Sequence, residues 1–521
     1  VEAPITEMSE EGWCPIGTPG IVAMAVMLAT FMEVLDSTVV NVSLPHIAGS
    51  LAASVDESTW VLTSYLVSNA IVLPATGWLS SIFGRKRYYM ASVVIFVASS
   101  FLCGLAPSLT LLIAFRVLQG FGGGALQPIS QAILLECYPR RQRGIGMAVF
   151  GIGVVFAPII GPTLGGWLTD NYSWRWIFYI NVPIGFLALV MSHIYVVDPP
   201  YLRRGVVKMD YIGLGLLALG IGTLQVVLDT GQQHDWFGTT WVFELAVVSA
   251  VSLIVLLIWE WYSPNPVIDL RVFRIRNFPA GVFLIFMVGV ALYSSGVLQP
   301  LFVQVLLGYT AMLSGLVLSP GGIGTLIFMP IVGRLVTRWS PRYLIAFGFV
   351  LAAVSLFMMA RFTLDISFWQ AAYPRIYLGI GLAFLFVPLT TATFAFVPGE
   401  KTGTATGIYN LMRNIGGSFG IAAATTILAT RSQFHQARLV GNVTPLNPGY
   451  LSWYHATVAQ LMADGQPRMA AQAKALGIAY GTVQTQATLM SFVDTFYLAG
   501  VLMLALIPLV FVLKRAERQV A

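Results

Sequence analysis

Glu33 and Asp36 stand three residues apart in an apolar stretch, 20–45, that holds no other charge. That spacing puts both carboxyls on one face of a helix. A carboxylate deep in a bilayer costs about 3 kcal/mol or more, so an acid there faces a partner or a cavity and is a candidate proton carrier. The run Leu35-Asp36-Ser37-Thr38-Val39-Val40-Asn41-Val42 continues the polar character and reads as a polar seam in a transport helix.

Depth supplies a partner. At about 1.5 Å per residue, Asp36 lies roughly 22 Å above a span that begins at Ile21. It therefore sits about 8 Å below the far boundary of a core about 30 Å thick. Arg116, descending from Leu109, reaches about 10 Å below the same boundary. The two charges share a level, and such a pair closes when the acid is ionised and opens when it takes a proton. Asp36, Glu33 and Arg116 are the proton-coupling candidates, with Glu33 one turn deeper as a relay.

Arg413, beside Asn410 and Asn414, lies too far from either end of its span to snorkel and is expected to line a cavity. Tyr65, Asn69, Gln127, Tyr293, Tyr409 and Asn410 supply the other orienting groups expected of an apolar ligand cavity. Asp494 reads as an interfacial acid, and Arg375 lies near the far end of its span. The five histidines are far apart and show no metal-ligand spacing, and Cys14, Cys103 and Cys137 imply no disulfide framework. No His, Asp or Ser cluster suits a lipid-modifying enzyme, and no catalytic residue or cofactor is expected.

The elements that must hold these groups are membrane helices. Of the 521 residues 57% are hydrophobic and 10% charged, with mean hydropathy +0.80, against a charged fraction near 25% in soluble chains. Taking about 20 apolar residues per crossing gives about fourteen spans in an all-α polytopic protein. The segments do not alternate in hydrophobicity, which excludes a barrel. The N-terminal tail has no Lys or Arg, so the first span is expected to remain in the protein.

The net charge of +6 reports orientation rather than a nucleic-acid partner. Basic residues cluster on one side at Arg85, Lys86, Arg87; Arg140, Arg141, Arg143; Arg203, Arg204, Lys208; Arg271, Arg274, Arg276; Arg334, Arg338, Arg342; Lys401; and Lys514, Arg515, Arg518. These are nineteen of the 28 Lys and Arg, and the positive-inside rule places them, and both termini, in the cytoplasm.

The chain also repeats. The stretch from Arg116 to Gly122 recurs from Arg375 to Gly381 at an offset of 259, and Pro128 answers Pro388. Two parallel six-span halves give this pattern. The expected division is a tail at 1–19, a first bundle at 20–200, two inserted spans at 201–276, a second bundle at 277–513 with an outer loop at 431–488, and a tail at 514–521. Within the outer loop 469–488 reads as helical, and Pro445 and Pro448 break the part before it. The fifth span carries Gly153, Pro158, Gly161, Pro162, Gly165 and Gly166, a smooth kinked face for close helix contact.

Together these stretches resemble the major facilitator superfamily, and the span count resembles its drug:proton antiporter group with fourteen helices. The resemblance implies two six-helix bundles plus two inserted helices, and alternating access. Segment 77–87, with Gly77, Gly84 and Arg85, resembles the cytoplasmic loop motif, with Ser81 where the family has aspartate. Segment 116–124 resembles the motif whose arginine serves proton coupling. Segment 151–166 resembles the antiporter motif, which implies export, and 35–45 the first-span motif. Stretches 60–65, 176–185 and 228–237 are similar to a branch that implies partners: a periplasmic adaptor of the EmrA type and a TolC-type outer-membrane channel. The expectation is a proton-driven exporter of hydrophobic or amphipathic toxic compounds in a bacterial inner membrane, with a specific metabolite such as a fatty acid or siderophore as the alternative cargo.

Overall fold

The computed structural model describes residues 19–138, 142–198, 210–264 and 266–514. Cys14, Arg140, Arg141, Arg203, Arg204, Lys208, Arg515 and Arg518, with the N-terminal tail through residue 18, lie outside them. Every regular element among the described residues is helical, because in hydrocarbon each backbone N–H and C=O must be satisfied within its own segment.

The first half runs α1 (Pro19–Ser50), α2 (Val55–Phe83), α3 (Arg85–Leu105), α4 (Leu109–Cys137), α5 (Arg143–Asn171), and a final crossing made of α6 (Trp176–Tyr179) and α7 (Asn181–Tyr195). Then come α8 (Tyr211–Thr230) and α9 (Thr240–Tyr262). The second half repeats the plan with α10 (Phe278–Val305), α11 (Ala311–Leu335), α12 (Pro341–Met359), α13 (Phe368–Thr393) and α14 (Thr402–Val440). It ends with α15 (Pro448–Ala463), α16 (Arg468–Ala505) and the short α17 (Ile507–Val510).

Twelve helices among the described residues are long and apolar enough to cross a membrane, and α5, bent by 40° between Pro158 and Ile160, makes a thirteenth. α14 is less apolar, since it carries Asn410, Arg413 and Asn414, yet it is embedded in the bundle. A Cβ on Gly416 would strike the Phe286 carbonyl of α10, and one on Gly407 the Leu73 carbonyl of α2. The outer segment 431–488, within which 469–488 is expected to be helical, is helical for most of its length. α14 runs on to Val440, and α16 begins at Arg468 and enters its span unbroken. Between them α15 starts with Pro448 in its first turn and packs Val458 and Leu461 on Ala471 and Ala475 of α16.

Four helices that start on the side opposite the Arg85 connection, here the far side, carry side-chain caps. Ser54, Ser108, Thr310 and Ser367 each accept a hydrogen bond from a first-turn N–H, and Ser54–Glu57 and Ser367–Gln370 complete capping boxes. These caps satisfy orphan donors where a span meets the boundary.

The two halves are pressed together on the Arg85 side. There α2 meets α14 so closely that a Cβ on Gly77 would lie 2.5 Å from the Thr404 backbone nitrogen, and α5 meets α11 with Gly144 against the Gly333 carbonyl. Toward the far side a cleft of about 330 Å³ opens between α5 and α11, lined by Ile160, Thr163, Leu164, Trp167, Met312 and Leu316. α9 turns an apolar face outward, including Val251, Ile254 and Ile258. α8 packs on it and leans against α2 and α14.

Candidate functional site

Asp36 is 1% exposed and Arg116 is fully buried. Arg116 Nη1 donates to Asp36 Oδ2 at 2.6 Å, and its Nε donates to the Val61 carbonyl of α2 at 2.9 Å. Asp36 Oδ1 accepts from Gln119 Nε2 at 3.0 Å and from Asn181 Nδ2 at 2.7 Å, and Asn181 also donates to Ser100 Oγ at 2.9 Å. One carboxylate from α1 thus gathers donors from α4 and α7, with α2 and α3 holding the outer ring.

Glu33, one turn deeper, is also surrounded by donors. Its Oε1 accepts from Tyr65 Oη at 3.0 Å and Asn69 Nδ2 at 3.1 Å, and its Oε2 accepts from Gln127 Nε2 at 2.5 Å. Tyr65 joins the two sites, since its ring lies under the Arg116 guanidinium at 4.3 Å while its hydroxyl serves Glu33. Both carboxyls meet only donors. A proton on either converts an acceptor into a donor and must displace or turn one of the three groups around it.

Gln127 is the hinge between halves, because its Oε1 accepts from Arg413 Nη2 of α14. One helical turn further along α4, Gln131 Oε1 accepts from Asn410 Nδ2 at 2.6 Å. Two glutamines of the first half therefore face an arginine and an asparagine of the second. Arg413 is fully buried, with Nε and Nη1 lacking hydrogen-bond partners, and its Cζ stands 5.7 Å from the Phe386 ring.

The residues expected to line a ligand cavity are differently placed. Tyr65, Asn69, Gln127, Asn410, Arg413 and Tyr409 are all buried, and Tyr409 Oη shares a hydrogen bond with Thr390 at 3.0 Å. Across the seam Gln127 accepts from Arg413 and Gln131 from Asn410, while Tyr65 and Asn69 bond Glu33 within the first half and Tyr409 bonds Thr390 within the second. Tyr293 is half-buried and packs on Gly417. The open cleft is lined by other, mainly apolar, side chains of α5 and α11.

The antiporter-like segment packs on the acidic helix. Gly153, Gly161 and Gly165 of α5 face Met27, Thr38 and Val39 of α1, Pro158 and Pro162 flank the bend, and Gly166 is buried. In the loop-motif segment Gly84 adopts φ +83°, a left-handed conformation that favours glycine, and so turns α2 into α3. Arg85 forms an ion pair with Glu136 of α4, and the Lys86 N–H donates to Asp198 at 2.6 Å. Ser81 caps its own helix by donating to the Trp78 carbonyl at 2.7 Å. Asp494 accepts from Arg431 at 2.9 Å and meets His435 Nε2 at 2.7 Å, joining α16 to α14.

Sequence reasoning did not single out Gln119, Asn181, Ser100, Gln131 or Glu136. A signal existed for two of them: Gln119 is one turn from Arg116 and Gln131 one turn from Gln127, both amides within apolar spans. Arg375, at the repeat position of Arg116, donates to Gln299 Oε1 and to the Ser295 carbonyl, and its Nη1 lies 3.5 Å from Ser295 Oγ.

Two repeated helical halves, an inserted helix pair and a buried acid–arginine network have the architecture of a polytopic membrane transporter. The chain belongs to the major facilitator superfamily, whose family model matches residues 26–421. It is 38% identical to the multidrug export protein EmrB of Escherichia coli K12 over 95% of both chains. It is 34% identical to the fatty acid resistance protein FarB of Neisseria gonorrhoeae, over 95% of this chain and 96% of that one. Its fold is shared by the human organic anion transporter MFSD10, with a TM-score of 0.59 at 13% identity over 94% of this chain and 100% of that one.

Proposed function

We propose that the protein is a proton-driven multidrug exporter that moves hydrophobic or amphipathic toxic compounds out of the cell by alternating access of its two halves. The proton gradient is the energy source, and no cofactor is required. The likeness to EmrB supports a bacterial inner membrane, and the basic clusters support both termini in the cytoplasm, so that the far side is the periplasm. On this reading the conformation described is closed toward the cytoplasm. Work with an EmrA-type adaptor and a TolC-type channel belongs to the same proposal, supported by the likeness to EmrB.

The observation that carries the reading is the hydrogen-bonded chain Glu33–Gln127–Arg413, which runs from one half into the other. A proton on Glu33 favours turning the Gln127 amide so that its oxygen meets the new O–H. The amide NH2 then faces the Arg413 guanidinium, where no acceptor remains for it. Protonation thereby loosens α4 from α14, while Asp36 and Arg116 set the electrostatic ground state beside it. Binding one proton in this way shifts the balance between two arrangements of the halves.

The test is efflux of a fluorescent substrate from proteoliposomes under an imposed pH gradient. Asp36→Asn is expected to abolish gradient-driven export, and undiminished export by that variant overturns the essential role of Asp36. Arg116→Ala is expected to alter the pH dependence of transport; an unchanged profile removes the pairing idea. A second reading, transport of a specific metabolite such as a fatty acid, draws on the likeness to FarB. Resistance and accumulation screens in an efflux-deficient host, with and without the adaptor, separate the two.

A further inference from the structure

The inserted helix α8 carries a polar stripe on the face it turns to the two halves. Gln225 and Asp229 are four residues apart and share that face, and Gln232 follows just past the helix end. Gln225 Nε2 donates to Asp229 Oδ1 at 2.9 Å and to Ser418 Oγ of α14 at 2.7 Å. Asp229 also lies against Thr63 of α2. Its second oxygen, Oδ2, is buried and has no hydrogen-bond partner. Just beyond, Gln232 Oε1 accepts from Thr426 Oγ1 of α14 at 2.7 Å and from Trp236 Nε1 at 3.0 Å. The Trp236 ring closes over Gly231, where a Cβ would lie 2.6 Å away.

A carboxyl therefore sits where a helix of each half meets the inserted helix, outside the Glu33–Asp36 network. Toward the Arg85 side α2 and α14 touch directly at Gly77 and Thr404. Nearer the far side both lean on α8, α2 through Val67 and Ile71 beside Gly222, and α14 through Ser418 and Thr426. No charged side chain is among the groups acting on Asp229; those are Gln225 and Thr63. The titratable residues on the elements around it include Glu57 and Tyr65 on α2, His234 and Asp235 on the loop above, Glu244 on α9, and Arg413 and Arg431 on α14. His234 packs on Trp241 at 5.0 Å.

We propose that Asp229 is a second proton-binding site, filled from the far side, whose protonated form holds α8 as a brace between α2 and α14. An ionised carboxylate here has one oxygen without a donor, which is costly in a span. A proton on Oδ2 removes the charge and leaves Oδ1 to accept from Gln225, whose second N–H then serves Ser418. Once the proton leaves, both oxygens compete for the same amide donors, Gln225 is drawn from Ser418, and α14 is released. The inserted pair thus takes part in the cycle, a role that rests on the reading of this chain as proton-driven.

Infrared difference spectra of the full-length transporter in lipid nanodiscs, recorded as pH is stepped, read carboxyl protonation without any transport. The expected result is a protonated-carboxyl band that fades as pH rises, is missing from Asp229→Asn and is shifted in frequency in Asp229→Glu. Difference spectra identical to wild type in both variants overturn the proposal. The band is recorded at rest, so it stays informative whether or not Asp36→Asn abolishes gradient-driven export, and the two readings fail separately. A paired measurement covers the brace: the far-side pH dependence of export is expected to lose one titration step in Asp229→Asn, and an unchanged profile counts against it.

Discussion

Arg375 meets Ser295 in the second half where Arg116 meets Asp36 in the first. α1 and α10 begin at Pro19 and Phe278, so an offset of 259 carries Asp36 onto Ser295, and the same offset carries Arg116 onto Arg375. The first arginine has a carboxylate at 2.6 Å; the second has a glutamine, a carbonyl and a hydroxyl. The repeat preserved the cation and its depth but kept the acid in one half.

Ser295→Asp gives Arg375 the counter-charge it lacks. A hydrogen bond to a charged group contributes about 1.5–3 kcal/mol, so the variant is expected to unfold at higher denaturant in detergent than wild type. Because Ser295 makes no bond in the Glu33–Gln127–Arg413 chain, proton-coupled export is expected to persist. A destabilised Ser295→Asp protein would show that Arg375 is already fully compensated.

Removing one partner of a buried pair is costly because it strands the other charge. Asp36→Asn leaves Arg116 without its carboxylate and is expected to lower stability by about 3–5 kcal/mol. The double variant Asp36→Asn with Arg116→Gln removes the stranded charge, and much of the stability is expected to return while gradient-driven export stays lost. Equal stability of the single and double variants would mean that Arg116 finds full satisfaction from Val61 and Gln119 alone.

Much of this arrangement was legible in the sequence because charges in apolar spans are expensive and therefore few. Asp36 and Arg116 could be matched by depth alone, since each helix rises steadily from a recognisable boundary. The halves followed from one repeated segment around Arg116 and Arg375. Neutral amides carry no such signal: Gln119 and Asn181 look like ordinary polar residues until α4 and α7 converge on Asp36. The partners of Tyr409 and Asn410 were hidden for a related reason. Sequence gives the face a residue occupies but not which residues meet it: Asn410 meets Gln131 across the closed halves, and Tyr409 meets Thr390 within the second half. α15 and the end of α14 were masked by Pro445 and Pro448, which punctuate between helices rather than abolishing them, whereas 469–488 reads as helical from the sequence.

Gln127 offers a sharper test of coupling than either acid. Gln127→Ala removes the bridge between Glu33 and Arg413 while leaving both charges, and truncating a buried hydrogen-bonding partner costs about 1–3 kcal/mol. Export is expected to fall and, more tellingly, to lose its dependence on the gradient even where downhill substrate movement persists. Full retention of gradient-driven export would leave the bridge a packing contact.

Gly77 tests the closure of the halves. The atoms that a Cβ at this position would strike belong chiefly to the Thr404 backbone, 2.5 and 2.6 Å away, so no rotamer change relieves the clash and α2 must move from α14. Gly77→Ala is therefore expected to shift the protein toward the state open on the Arg85 side. Ser80, buried beside this contact, reports the shift: a cysteine there is expected to react with a water-soluble maleimide about tenfold faster in the Gly77→Ala background, a change of about 1.4 kcal/mol in the opening equilibrium. Gly20, where an added Cβ would meet nothing within 4 Å, serves as the control. Gly20→Ala is expected to leave stability within about 0.5 kcal/mol of wild type and labelling unchanged. Equal labelling in the Gly77→Ala and wild-type backgrounds would show that the two halves separate without hindrance at this point.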